Sequence, residues 1–129
     1  MDFFIYPTGK RLLASDVVKL GLRAMLVTAA YAPKIGHLTI TDVTHEANGQ
    51  GYTAGGQSLQ NLHQVEEDGE LVLHADPAVW ADSKIRAHGV VLYCPRSGNR
   101  LLCYQSLGEE HRSSNREFEV SWPDGILAF

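Results

Sequence analysis

Apolar and polar residues along this chain fall into short runs, with no sustained helical period after the first fifteen residues or so. Runs rich in Val, Leu, Ile and Tyr occur at 22–27 (LRAMLV), 37–43 (HLTITDV), 58–65 (SLQNLHQV), 70–75 (ELVLHA), 89–94 (GVVLYC), 100–107 (RLLCYQSL), 117–122 (EFEVSW) and 125–129 (GILAF). Gly, Pro, Asn and Asp divide them. Short runs recurring at roughly 8–12 residues predict the strands of an all-β, antiparallel sandwich or barrel-like fold in a single domain spanning 1–129. The exception is 7–15, PTGKRLLAS, which predicts a short N-terminal helical turn with Thr8 as its N-cap.

Turn residues fix two hairpins. Asp68-Gly69 read as a two-residue type I′ loop sets Glu67 opposite Glu70, Val65 opposite Val72 and His63 opposite His74. The facing glutamates leave a four-residue loop open as an alternative. Gly98-Asn99 as a second loop sets Tyr93 opposite Tyr104 and Cys94 opposite Cys103. At the end of the chain, Pro123-Asp124-Gly125 supplies a turn that brings Ile126, Leu127 and Phe129 back as a docked strand.

Composition narrows the function classes. The chain has 129 residues, 44% hydrophobic and 20% charged, with a formal charge of -4 spread along its length. This length buries a sizeable core without metal or disulfides. Lys and Arg form no cluster, so nucleic acid is not an expected partner. The N-terminus MDFFIYPTGKRLL lacks the features of a cleaved signal, and no apolar run is long enough to cross a bilayer, so synthesis in the cytoplasm and no membrane partner are expected.

Candidate chemistry begins with GQGYTAGGQS at 49–58. From Gly51 it matches G-x-x-x-x-G followed by Gln57 and Ser58, and from Gly49 it matches G-x-G-x-x-A. The P-loop lysine, which places positive charge on the phosphates, is missing. The flanks also lack the strand-before and helix-after context of a phosphate loop. The stretch therefore reads as a turn or bulge in which Gly49, Gly51, Gly55 and Gly56 permit positive φ and close backbone approach.

Other constellations are incomplete. His63 and His74, facing each other, supply half a metal site, with no third and fourth ligand nearby, and read as strand-surface histidines. Cys94 and Cys103 read as buried thiols, with a disulfide left open by their opposed positions. No serine lies in G-x-S-x-G. Asp76 and Asp82 flank Trp80 in DPAVWADS, resembling a glycosidase carboxylate pair, and read as solubilising acids. No cofactor, metal or catalytic residue is expected.

Four blocks, VVKLGLRAMLVTAAYAP, GYTAGGQSL, AVWADSKIRAHGVVLY and SSNREFEVSWPDGIL, occur in an order that resembles a family of small β-rich, virion-associated structural proteins of tailed bacteriophages. The likeness spans about residue 3 to residue 129. Departures from the family pattern include Ser58 in place of alanine, His88 and Gly89 near a usual aromatic, and Arg116 where glycine is usual. The resemblance implies a non-enzymatic structural component of the virion, capsid-associated as a decoration or cement protein or a head-fibre base. A neck or tail role remains as an alternative. Its partners would be other virion proteins, in a homo-oligomer or symmetric array, and Tyr52 would anchor the glycine loop by packing its ring beneath it. The family carries no catalytic residues to transfer. Two further readings stay open: a carbohydrate- or receptor-binding module of a tail fibre or tip, built on exposed Trp80, Tyr31 and Tyr52, and a small hydrolase in which Asp76, Asp82, Glu109, Glu110 or His111 converge.

Overall fold

The computed structural model describes residues 3–14 and 16–128. In chain order the elements are β1 (Phe3–Ile5), α1 (Pro7–Ala14), α2 (Val17–Leu20), β2 (Arg23–Val27), β3 (Gln57–Ser58), β4 (His63–Glu67), β5 (Glu70–His74), β6 (Ala78–Ser83), β7 (Arg86–Cys94), β8 (Arg100–Arg112), β9 (Arg116–Val120) and β10 (Leu127–Ala128). Short 3-10 turns lie at Ile40–Asp42 and Pro95–Ser97. The architecture is all-β with two short helices near the N-terminus, as the run pattern predicts.

The strands form three sheets. The largest is five-stranded in the order β1-β8-β7-β2-β3, beside a three-stranded sheet, β10-β5-β4, and the pair β6-β9. All pairings are antiparallel. Side chains alternate across the central strands, so both faces of the large sheet are covered. Ala24, Leu26, Val90, Leu92 and Leu102 point into the larger core, which the smaller sheets close with Leu73, Trp80, Phe118, Val120 and Leu127. Met25, Val27, Val91, Tyr93, Leu101 and Tyr104 point the other way, where Tyr6 and Tyr31 cover them. A sheet apolar on both faces must be sandwiched, because each face has to leave water.

The first predicted hairpin forms as read. β4 and β5 pair with Glu67 opposite Glu70, Val65 opposite Val72 and His63 opposite His74. Asp68 and Gly69 take φ of 51° and 81°, the two positive values a type I′ loop requires.

The second hairpin differs from its predicted register. Cys94 lies opposite Arg100, Leu92 opposite Cys103 and Val91 opposite Tyr104, with an irregularity between Leu92 and Tyr93. Pro95 starts a 3-10 turn, which lengthens the connection, and Gly98 and Asn99 both adopt positive φ at its end. The extra residue on β8 is a bulge that leaves Leu102 and Cys103 both in the larger core.

Three other expectations are corrected. Residues 37–43 do not form a strand: Asp42 accepts hydrogen bonds from the Leu38 and Thr39 backbone at 2.8 and 3.3 Å, and this local bonding replaces a ladder. Only an isolated bridge, Thr39 to Arg100, remains there. The run 58–65 is broken, its ends belonging to β3 and β4. Thr8 is not the N-cap, because α1 begins at Pro7 and Thr8 is buried within its first turn; proline fits the first helical position, where no N–H is needed. Ser15, the last residue of the predicted helical stretch, lies outside the described residues, as does Phe129.

The end of the chain docks as predicted. Gly125, with φ of 92°, donates its N–H to Trp122 C=O at 3.0 Å, and Leu127 and Ala128 pair with Leu73 and Val72.

Candidate functional site

The glycine stretch is tied to the sheet by several side-chain and backbone hydrogen bonds. It runs from the bridge between Val27 and Glu46 into β3, so a strand follows the glycines where a phosphate loop has a helix. Gly49, Gly51, Gly55 and Gly56 all have positive φ, between 76° and 131°. Three of them, Gly49, Gly51 and Gly56, also sit where no side chain fits, the tightest two against backbone carbonyls. A Cβ on Gly56 would lie 1.7 Å from the Ala24 carbonyl oxygen, and one on Gly49 would lie 2.0 Å from that of Lys84.

Glu46 organises the loop from within. Its Oε2 accepts the Tyr52 hydroxyl and the Gly55 N–H, each at 2.6 Å. The same Tyr52 oxygen accepts the Leu26 N–H at 3.1 Å, joining the loop to β2. Burial, followed by the hydrogen bond to Glu46, pushes the Tyr52 hydroxyl far above its ordinary range, so it stays a donor at all ordinary pH. Its half-buried ring lies 6.1 Å from that of Trp80, anchoring the loop as expected.

The carbonyls of the glycine pair are held from the other side. Arg23 donates to Gly56 O at 2.6 Å and to Ser58 Oγ at 3.1 Å, and the Tyr93 hydroxyl donates to Gly55 O at 2.5 Å. The guanidinium is thus directed at backbone carbonyls of its own chain. Neither Glu46 nor Arg23 stands out in the sequence: Arg23 lies more than 30 residues from its partners, and Glu46, though only 6 and 9 residues from Tyr52 and Gly55, belongs to no recognisable motif. Only the turn-prone flank Thr44-His45-Glu46-Ala47-Asn48 hinted that the segment was not a strand.

A second polar chain lies on the opposite face of the large sheet. The Tyr6 and Tyr31 hydroxyls are 2.5 Å apart, and Tyr31 in turn reaches His37 Nδ1 at 2.9 Å, with the Tyr31 and His37 rings stacked. Burial raises both tyrosines, Tyr6 the more strongly. A neighbouring cleft of about 450 Å³ is lined by Phe4, Tyr31, His88 and Tyr104 among others. Sequence patterning did not identify this group, whose members are scattered over the chain.

The remaining candidates separate. His63 and His74 stack at 5.5 Å, His63 Nδ1 meets the Asn61 carbonyl at 2.6 Å, and His74 contacts Glu67 at 3.4 Å. Among the described residues no three His, Cys, Asp or Glu side chains are grouped to hold a metal. Cys94 and Cys103 are buried free thiols and do not face each other, the expected pairing having been lost with the shifted register. Burial drives the Cys103 thiol strongly upward.

Trp80 and Tyr31 are buried, in different cores, so the exposed aromatic surface of Trp80, Tyr31 and Tyr52 does not form. Asp76 meets Asn61 at the base of the β4–β5 hairpin, and Asp82 occupies a bulge in β6 with φ of 47°. Glu110 bonds Arg112 at 2.8 Å, while His111 contacts the Leu107 carbonyl; Glu109 is exposed on the same extension of β8.

What the surface does offer is strand edge and apolar side chain. β4 is exposed at every position and pairs on one side only. Among the described residues, Ile35, Leu38, Phe3, Leu71, Val65 and Val79 are the large apolar side chains left in water. Among the described residues no helix is long and apolar enough to cross a membrane. Compared with known protein families, curated proteins and solved structures, the chain has no match.

Proposed function

We propose that the protein is a non-enzymatic structural component of a tailed-phage virion, associated with the capsid as a decoration or cement protein or as the base of a head fibre. The observation that carries this reading is how the fold uses the blocks behind the resemblance. The AMLV strand, the GYTAGGQ loop and the W-P-D-G-I-L end are all framework: the first is a central strand, the second is clamped by Glu46, Tyr93 and Arg23, and the third closes the larger core. Residues so committed to internal contacts preserve a shape. Open strand edges and isolated exposed apolar residues then supply the contacts to neighbouring subunits, through backbone hydrogen bonds and local apolar burial.

Quantitative mass spectrometry of gradient-purified particles tests the proposal. One copy per capsid subunit, or a fixed simple fraction of that, is the expected result. A handful of copies per particle moves the protein to the neck or tail, and absence from particles refutes the virion role.

A further inference from the structure

We infer that two copies of this chain join edge to edge through β4, antiparallel, about a two-fold axis at Val65. The inference deepens the assembly reading above and rests on it for its setting, while the measurement below is made on isolated protein.

The free edge has a defined phase. Leu73 directs its C=O toward the C-terminal segment, where it accepts the Ile126 N–H at 2.6 Å. Leu73 faces Gln64, so this pair is not hydrogen-bonded across β4–β5, and Gln64 turns its own N–H and C=O outward. By alternation Glu66 does the same, whereas His63, Val65 and Glu67 bond inward. An incoming strand therefore has to engage Gln64 and Glu66.

A second copy centred on Val65 does this with matched partners. Gln64 then exchanges backbone bonds with Glu66 of the other copy, and the reverse pair follows by symmetry. Val65 packs on Val65 beside the flanking Val72 residues, and His63 lies opposite Glu67 of the other copy, an imidazole against a carboxylate. The acidic tips, Glu66 to Glu70, point to opposite ends of the joined sheet, each next to the other copy's His63. Other arrangements lose this. A parallel strand would bring the acidic tips together, a centre at Glu66 would set Glu66 on Glu66, and a one-residue slip in either direction breaks the hydrogen-bond phase. The edge has no proline, lysine or bulge of the kind that blocks such pairing. The result is a continuous six-stranded sheet made from two copies of β10-β5-β4.

Sedimentation equilibrium over a concentration series, combined with cysteine cross-linking, tests this. Val65→Cys places two thiols across a non-hydrogen-bonded pair with Cα atoms about 4.5 Å apart, within disulfide reach. Cys94 and Cys103 are buried and do not compete. The expected results are a species of twice the chain mass and a covalent Val65→Cys dimer under mild oxidation, with Val79→Cys, exposed on β6, forming the same dimer but no covalent cross-link. Gln64→Pro removes an outward N–H and should abolish the dimer. Glu67→Lys gives up the 3.4 Å contact to His74 but turns the like-charged pair with Glu70 into an opposite-charged one, so the melting temperature should change little while the dimer weakens about tenfold, equivalent to about 1.4 kcal/mol. A monomer at every concentration, equal cross-linking at 65 and 79, or a dimer untouched by both Gln64→Pro and Glu67→Lys would overturn the inference. A dimer formed by a protein that is absent from particles leaves the inference standing and removes only the virion reading; a monomer found in particles does the reverse.

Discussion

Replacing Gly56 with alanine isolates the role of the glycine loop. Gly56 has φ of 76°, a region where an L side chain costs roughly 1–2 kcal/mol. Its added Cβ would also meet backbone: Ala24 O at 1.7 Å, Ala24 C at 2.6 Å and Met25 Cα at 2.9 Å. No rotamer change relieves a clash with main chain, so the β2–β3 contact must open, straining the Arg23 bonds to Gly56 O and Ser58. Overpacking of this kind costs roughly 1–3 kcal/mol, giving a total of about 2–5 kcal/mol. That is a large part of the stability of a domain, typically about 5–15 kcal/mol. Gly69→Ala is the matched control. Its φ of 81° is similar, but nothing lies within 4 Å of the new methyl, so only the conformational cost of about 1–2 kcal/mol applies. Urea denaturation followed by the fluorescence of buried Trp80 and Trp122 measures both, with the slope m expected to stay constant. If Gly56→Ala is no more destabilising than Gly69→Ala, the close-approach account of the loop is wrong.

Tyr52→Phe removes a hydroxyl that serves Glu46 and the Leu26 N–H together; a loss of roughly 2–4 kcal/mol is expected in the same assay, since a charge-assisted bond is broken and a backbone donor is orphaned. Deleting residues 126–129 removes Ile126 and Leu127, each 7% exposed, and should cost roughly 3–6 kcal/mol at 1.5–3 per buried side chain; a truncation that melts within a degree of the full chain would contradict this. Cys94 and Cys103 should resist a thiol reagent in the native protein and react fully once it is unfolded, with burial both shielding them and disfavouring the Cys103 thiolate. The backbone N–H groups of Leu38 and Thr39 hold the Asp42 carboxyl below the usual carboxylate range. Its contribution to the 38–42 turn is thus present above the ordinary carboxylate pKa and lost as pH falls through the lowered value, which NMR titration of the Leu38 and Thr39 amides would follow.

Elements whose geometry is set by neighbouring residues were legible in the sequence. Asp68-Gly69 fixed the β4–β5 register because a two-residue loop allows only one pairing. The four glycines were legible as positive-φ positions because a chain turning back between strands needs them, whereas Tyr52 entered only through the resemblance. The register after Gly98-Asn99 was missed because Pro95 to Ser97 wind into a turn before the loop, adding a bulge that alternation of side chains does not reveal. The 37–43 run has the alternation of a strand, and one side chain, Asp42, diverts its backbone bonds. Strand β6 was hidden by Asp76-Pro77 and Asp82, which look like turn residues; Asp82 is a bulge within a strand that buries Trp80 and Ser83. Arg23 grips the loop from more than 30 residues away, and Glu46, only 6 and 9 residues from its partners, acts through a loop conformation that no local pattern marks.

In the role proposed above, the fold is a building block whose exposed edges would meet other virion proteins. A symmetry-averaged electron cryomicroscopy map of the purified particle tests it most directly. Density for the five-stranded sheet is expected at repeated positions on the capsid, with exposed strand edges, β4 among them, against neighbouring chains. A map with no such density, or one in which every strand edge faces solvent, would contradict it.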